Sequence, residues 1–161
     1  MIPTINSLKS ILDEHDPKSI LDVGCGDIKI PEGLNLQEYT GLDIETNIIS
    51  KNRKQFPNLN FLTGNFLQLS QQFHSSFELV LCFDVLIHQH DYLEYDKFIE
   101  GLINSTAKMG LIGGYDKIPD KNHRSEITAY HKPITTTLHK HSINNIKSIS
   151  IFNRLVFIIF K

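Results

Sequence analysis

The sequence predicts an α/β fold of the doubly wound kind, a mostly parallel sheet with helices on both faces and an antiparallel hairpin at its C-terminal end. Three observations carry this reading. Short apolar runs alternate with stretches of helical periodicity along most of the 161 residues. A turn with glycines at 24 and 26 follows the first such run, and the last two strand-like runs have no helix between them.

Taken in order, Ile5, Leu8, Ile11 and Leu12 recur at helical spacing until Asp16-Pro17 breaks the pattern. "SILDVGCG" is then a short apolar run suited to a strand buried on both faces. After a connection containing Pro31 and Gly33, "YTGLDIE" reads as a second strand and "TNIISKNRKQF" as a helix ended by Pro57. "NLNFLTGNF" is a third strand and "FELVLCFDVL" a fourth. The helix "YLEYDKFIEGLINS" follows, with Leu93, Phe98, Leu102 and Ile103 expected toward the core, and then "MGLIGGY" as a fifth strand. "PITTTLHKH" reads as a short helix, and "NIKSISIF" with "NRLVFIIFK" as a hairpin joined through Asn153-Arg154. The polar stretch "YDKIPDKNHRSEITAYHKP" is long enough for an active-site flap.

The length allows a full core without staples, and one domain over residues 1–161 is expected. A hydrophobic content of 40% and a net charge of −2 describe a soluble protein with no global field to gather nucleic acid or an anionic membrane. "MIPTINSLKSILDEH" has no basic segment followed by an apolar run, and the tract Leu155 to Phe160 is too short to span a bilayer. A cytoplasmic location without membrane partners is therefore expected, with Cys25 and Cys82 as free thiols.

The first turn has its own chemistry. A dinucleotide site would place a third glycine at position 29, where Lys29 stands. Asp22 and Asp27 flank the turn, and two carboxylates repel a pyrophosphate but suit an amine or sulfonium. Asp43 lies 21 positions after Asp22, the spacing at which an acid at the end of the next strand reaches a ribose diol.

In this order and spacing, "LDVGCGD", "GLDI" and "FELVLCFDVLIH" resemble the small class I S-adenosylmethionine-dependent methyltransferases, over the chain from about Ile5 to its C-terminus. The resemblance implies a seven-stranded sheet whose last strand is inserted antiparallel. It implies S-adenosylmethionine as cofactor, with its methionine part against Gly24, Cys25 and Gly26 and its amino group near Asp22. Asp43 would hold both ribose hydroxyls, Ile44 would pack on the adenine, Asn65 and Phe66 would read the adenine edge, and Phe83 would close the site at the fourth strand. The family's usual further glycine is replaced by Ile28.

Methyl transfer is an in-line displacement, so the protein mainly supplies alignment and, for a hydroxyl or ammonium acceptor, a base. His88 is the candidate base, with a structural histidine as the alternative; Asp84 orients the substrate or the cofactor amine, or caps the following segment. Tyr115, Asp116, Tyr130 and His131 are candidates for substrate contact. "HQHD" at His88, His90 and Asp91 has no partner pair at metal-binding spacing, since His139 and His141 do not share a helix face; no metal is expected. "KNRK" from Lys51 to Lys54 reads as a solvated helix face, and Cys25 and Cys82 are expected on neighbouring strands near the cofactor edge.

Phe83-Asp84-Val85-Leu86 stands where Asn or Asp followed by Pro-Pro-aromatic would suggest methylation of a base amine, which argues against nucleic acid. The expected acceptor is O or N of a small molecule or saccharide. Two other functions compete: an S-adenosylmethionine-binding module with little catalysis that acts through a partner, and an NAD-dependent oxidoreductase, which Lys29 and the final hairpin disfavour.

Overall fold

The computed structural model describes residues 3–28, 38–117, 132–151 and 154–161. Its seven strands are β1 (Ile20–Val23), β2 (Tyr39–Asp43), β3 (Asn60–Thr63), β4 (Phe77–Cys82), β5 (Thr106–Gly113), β6 (Ile146–Ile151) and β7 (Arg154–Phe160). Its helices are α1 (Pro3–His15), α2 (Thr46–Gln55), α3 (Phe66–Leu69), α4 (Tyr92–Ser105) and α5 (Ile134–Lys140). The strand order is β3-β2-β1-β4-β5-β7-β6, parallel except for β7, which runs antiparallel to both β5 and β6. This is the expected seven-stranded sheet with its terminal hairpin. The order reverses between β1 and β4, so the carboxyl ends of these strands diverge and open a crevice there.

Strand alternation divides the core into two layers. Leu21, Val23, Val80, Cys82 and Ile112 point to one face, where α4 covers them with Phe98, Ile99 and Leu102. Ile20, Leu79, Leu81 and Leu111 point to the other, where Leu8 and Leu12 of α1 and Ile49 of α2 pack. The two free cysteines fall in different layers, Cys25 with α1 and α2 and Cys82 with α4, so the sheet separates them despite their neighbouring strands. Burial pushes both thiols up, Cys25 to about 12, which keeps them protonated.

Several boundaries differ from the sequence expectations. Leu93 is 60% exposed, because it lies five positions before Phe98, off the buried stripe formed by Tyr95, Phe98, Ile99 and Leu102. A short helix, α3, and a 3₁₀ turn at Ser70–Phe73 fill the link between β3 and β4, where no helix was expected. Asn65 starts α3 by accepting a hydrogen bond from the Leu67 amide at 2.9 Å. The fourth strand stops at Cys82, and Asp84 takes a left-handed φ of 59°. The "KNRK" segment is not a uniformly solvated face: Asn52 is fully buried, and Arg53 donates to the Phe61 carbonyl at 2.7 Å, pinning α2 to β3. The expected flap, with Tyr130 and His131, and the connection with Pro31 and Gly33 lie outside the described residues. Among the described residues no helix is long and apolar enough to cross a membrane.

Asp22 is a buried acid at the centre of the sheet. It is 2% exposed on the α1/α2 face, and the Tyr39 hydroxyl donates to its Oδ2 at 2.7 Å. Burial pushes its carboxyl from the ordinary 3.8 to about 6, against the Tyr39 hydrogen bond and helped by the Asp43 charge. An acid raised in this way holds its proton more tightly in the folded state. Its favourable contribution is therefore complete below the unfolded value and is lost as pH rises through about 6. Above that, ionisation costs on the order of 3 kcal/mol. Asp22→Asn, which can still accept from Tyr39, is expected to raise stability at about pH 8 by about 1–3 kcal/mol and much less at about pH 4. Urea denaturation of both proteins across this range checks it, and a pH-independent difference would contradict it.

Candidate functional site

The crevice is shaped first by the turn after β1. The Gly24 and Cys25 amides both donate to the Leu42 carbonyl, at 2.7 and 3.1 Å, carrying the β1–β2 register past the strand end. The chain then enters the left-handed region at alternate residues: Gly24 at φ 75°, Gly26 at 53° and Ile28 at 44°. Two of these are the glycines such a path favours; the third is a β-branched residue, for which a positive φ is a true outlier. Ile28 is held there by burial among the α1/α2 side chains, at 3% exposure. The position of the absent family glycine thus has a glycine-like backbone.

The two glycines serve different purposes. A Cβ on Gly24 would lie 2.2 Å from Val85 Cγ2, so this residue permits close approach of the first turn to the end of β4. A Cβ on Gly26 would meet nothing within 4 Å, so the turn leaves open space beside it.

At the end of β2, Asp43 faces the turn. Its Oδ2 accepts from the Gly26 amide at 3.0 Å and its Oδ1 from the Glu45 amide at 2.9 Å. These backbone bonds fix the carboxylate and leave acceptor lone pairs on both oxygens.

A cavity of about 490 Å³ runs along the carboxyl ends of β1, β2 and β4. Gly24, Asp43, Ile44, Asn65 and Phe66 line it. Phe83, Asp84 and His88 line it where β4 ends. Ile44 is 64% exposed, and Phe66 is buried against Phe98 with ring centroids 4.8 Å apart, which gives the cavity apolar surfaces near Asp43. His88, exposed, ends a 3₁₀ turn at Leu86–His88.

Three of the expected site residues stand behind this wall rather than in it. Asp22 alternates with Leu21 and Val23 and so points into the α1/α2 layer toward Tyr39. Cys25 is buried in the same layer, its Sγ beside Gly41, where an added Cβ would approach it to 2.9 Å. Gly26 has its amide turned toward Asp43. The structure thus gives Asp22 and Cys25 a supporting position under the turn.

Other residues at the rim were not picked out as site residues. Gln89 and Glu94 join His90 at the mouth of the cavity. Their placement follows from a capping arrangement: Asp91 accepts from the Glu94 amide at 2.9 Å, and Glu94 accepts from the His90 amide at 3.1 Å. The Asp-x-x-Glu spacing was visible in the sequence, in the segment read there only for metal ligands.

A second cavity, of about 70 Å³, shares Phe83 and Asp84 with the first and is further lined by Ile87, Gly113, Gly114 and Tyr115. Tyr115 therefore reaches the β4–β5 edge as expected. Asp116 lines neither of these two cavities; its Oδ1 accepts from both the amide and the hydroxyl of Thr135, at 3.1 and 2.7 Å, at the start of α5. His141 is likewise engaged structurally: its Nε2 lies 3.1 Å from Asp96 Oδ1, while Lys140 Nζ lies 2.5 Å from Oδ2, tying α5 to α4. Among the described residues no three His, Cys, Asp or Glu side chains gather as a metal site.

The arrangement fits an adenosine carrying a positive group. Asp43, Asp84 and Glu94 put carboxylates on the cavity wall, which disfavours a pyrophosphate and favours a cation. Gly24 and the apolar surfaces of Ile44 and Phe66 accommodate the rest.

The comparisons agree. A family model described as "Methyltransferase domain" matches residues 14–148. Magnesium protoporphyrin IX methyltransferase (ChlM) from Synechocystis PCC 6803, solved with bound S-adenosylhomocysteine, superimposes with a TM-score of 0.73 at 18% identity, over 98% of this chain and 82% of that one. The N-methyltransferase NodS from Bradyrhizobium japonicum WM9 gives 0.74 at 16% identity, over 98% and 92%. The methyltransferase domain of a bacterial Hen1 gives 0.74 at 12% identity, over 98% and 97%. At these identities the likeness shows the fold. No curated protein matches the sequence. With the family model covering most of the chain, from α1 to β6, the chain belongs to the Rossmann-like methyltransferase family whose methyl donor is S-adenosylmethionine.

Proposed function

We propose that this methyltransferase moves a methyl group to O or N of a small molecule or saccharide, with the acceptor entering beside Phe83 and Asp84. The observation that carries this reading is that Phe83 and Asp84 border both cavities, the large acid-rimmed one and the small one toward Tyr115. A donor in the first cavity and an acceptor reaching in from the second would meet beside this shared segment, which is the proximity an in-line displacement needs. A second cavity of about 70 Å³ suits a small reacting group more than a polymer.

In this reading Asp43 binds the two ribose hydroxyls of the donor, each carboxylate oxygen accepting one hydrogen bond. Ile44 and Phe66 flank the adenine, and Asn65 presents its amide to the adenine edge. The Gly24–Gly26 turn lies along the methionine part, with Asp22 and Cys25 supporting it from beneath. S-adenosylmethionine supplies an electrophilic methyl on a sulfonium sulfur. Asp84 orients the acceptor at the end of β4, and an imidazole nitrogen of His88 takes the proton that the acceptor oxygen or nitrogen releases. The aromatic ring of Phe83 keeps water from the junction of the two cavities.

Incubation with methyl-labelled S-adenosylmethionine and a panel of hydroxyl and amine metabolites and saccharides tests the assignment; label found only in RNA or protein would overturn it. A tight complex with no label transferred to any acceptor would instead favour the cofactor-binding module that acts through a partner.

Two substitutions test the roles. Asp43→Ala is expected to weaken S-adenosylmethionine binding by about 2–3 kcal/mol, through loss of a charge-assisted bidentate contact, and calorimetry reads this directly. His88→Ala should leave cofactor affinity unchanged while lowering kcat roughly a hundredfold or more. If it reduces thermal stability and turnover together, His88 is a structural residue.

A further inference from the structure

We infer that Asn52, on the buried stripe of α2, is a positioning residue that holds the methyl-donor turn in its binding shape by gripping the carbonyl of Gly26. The inference rests on the cofactor reading of the cavity and extends it to a residue that does not line the cavity.

Asn52 Nδ2 donates to the Gly26 carbonyl oxygen at 2.6 Å. From the opposite side of the same residue, Asp43 Oδ2 accepts from the Gly26 amide at 3.0 Å. Both polar groups of Gly26 are therefore held by side chains, one from the end of β2 and one from the following helix. Around this clamp the backbone is left-handed at Gly24, Gly26 and Ile28. For Ile28, β-branched, that conformation is strained, so the turn keeps its path only if neighbouring contacts enforce it. The Ile28 amide contributes a bond to the Cys25 carbonyl at 3.2 Å, and Asn52 supplies the grip at the middle of the turn.

The choice of residue at position 52 argues for function over stability. Asn52 has no exposed surface and sits one turn after the buried Ile49, on the stripe where an apolar side chain stabilises a helix best. Its Oδ1 is buried and meets no donor among the described residues. An unsatisfied buried amide oxygen is destabilising. A leucine of similar size would avoid that cost, so what asparagine adds here is the donor aimed at Gly26. A carbonyl fixed by Asn52 also keeps the peptide planes of the turn from rotating, which preserves the placement of Gly24 on the cavity wall.

The test uses the full chain with two variants. Asn52→Leu is expected to match or exceed the wild type in thermal stability while its dissociation constant for S-adenosylhomocysteine, read by calorimetry, rises about tenfold or more. Wild-type affinity in this variant overturns the inference. Asn52→Asp keeps the shape and donates only when its carboxyl is protonated, so its affinity relative to the wild type should fall steadily from about pH 5 to about pH 9. A ratio independent of pH overturns the inference even if the leucine variant does not fold. Failure of the wild type itself to bind either S-adenosylmethionine or S-adenosylhomocysteine would strike the cofactor reading, and this inference with it.

Discussion

Position 24 has no room for a side chain, and the site is built around that constraint. A single methyl group there would fall 2.2 Å from Val85 Cγ2, so the turn after β1 and the segment after β4 press together at the point where the strand order reverses. Gly24 and Val85 line the crevice at this contact, and Asp43 at the end of β2, Phe66 at the start of α3 and Asp84 just past β4 line it elsewhere. The sheet beneath supplies rigidity: β1 and β4 are fully paired in register from Ile20 with Leu79 to Val23 with Cys82, so the two segments leave from fixed points.

Charge then selects what such a crevice accepts. Three carboxylates reach the cavity and a fourth, Asp22, lies buried beneath its floor. Burial favours the protonated form of Asp22, which relieves part of the repulsion between it and Asp43. The result is a site hostile to phosphate although its fold is shared with phosphate-binding dinucleotide proteins. The difference lies in a few side chains on the same backbone plan.

The turn shows how a family pattern survives the loss of a residue that seems to define it. Ile28 stands where a glycine is usual, yet its φ of 44° follows the path a glycine would take. The isoleucine side chain gains burial with α1 and α2, and the clamp on Gly26 from Asp43 and Asn52 holds the neighbouring peptides. Backbone shape is here imposed by packing and hydrogen bonds rather than granted by intrinsic freedom.

The alternation of strands and helices, the terminal hairpin and the family are legible in the residues alone, because these depend on local periodicity and on motifs whose residues are close along the chain. The sequence also placed Asp43 at a strand end, where the crevice of a doubly wound sheet must lie, while Phe66, expected at the end of the third strand, starts α3 instead. Its misjudgements concern direction and partnership. Leu93 faces solvent because a helix stripe has a phase that composition does not reveal, and Asp22 points beneath the turn because strand alternation sends it to the face opposite Val23. Asp116 bonds to Thr135, nineteen positions away, and Asn52 to Gly26, twenty-six positions away. These pairings arise from the packed fold, since a hydrogen bond between distant residues depends on how two elements dock, and nothing local in "KNRK" distinguishes a buried amide from a solvated one.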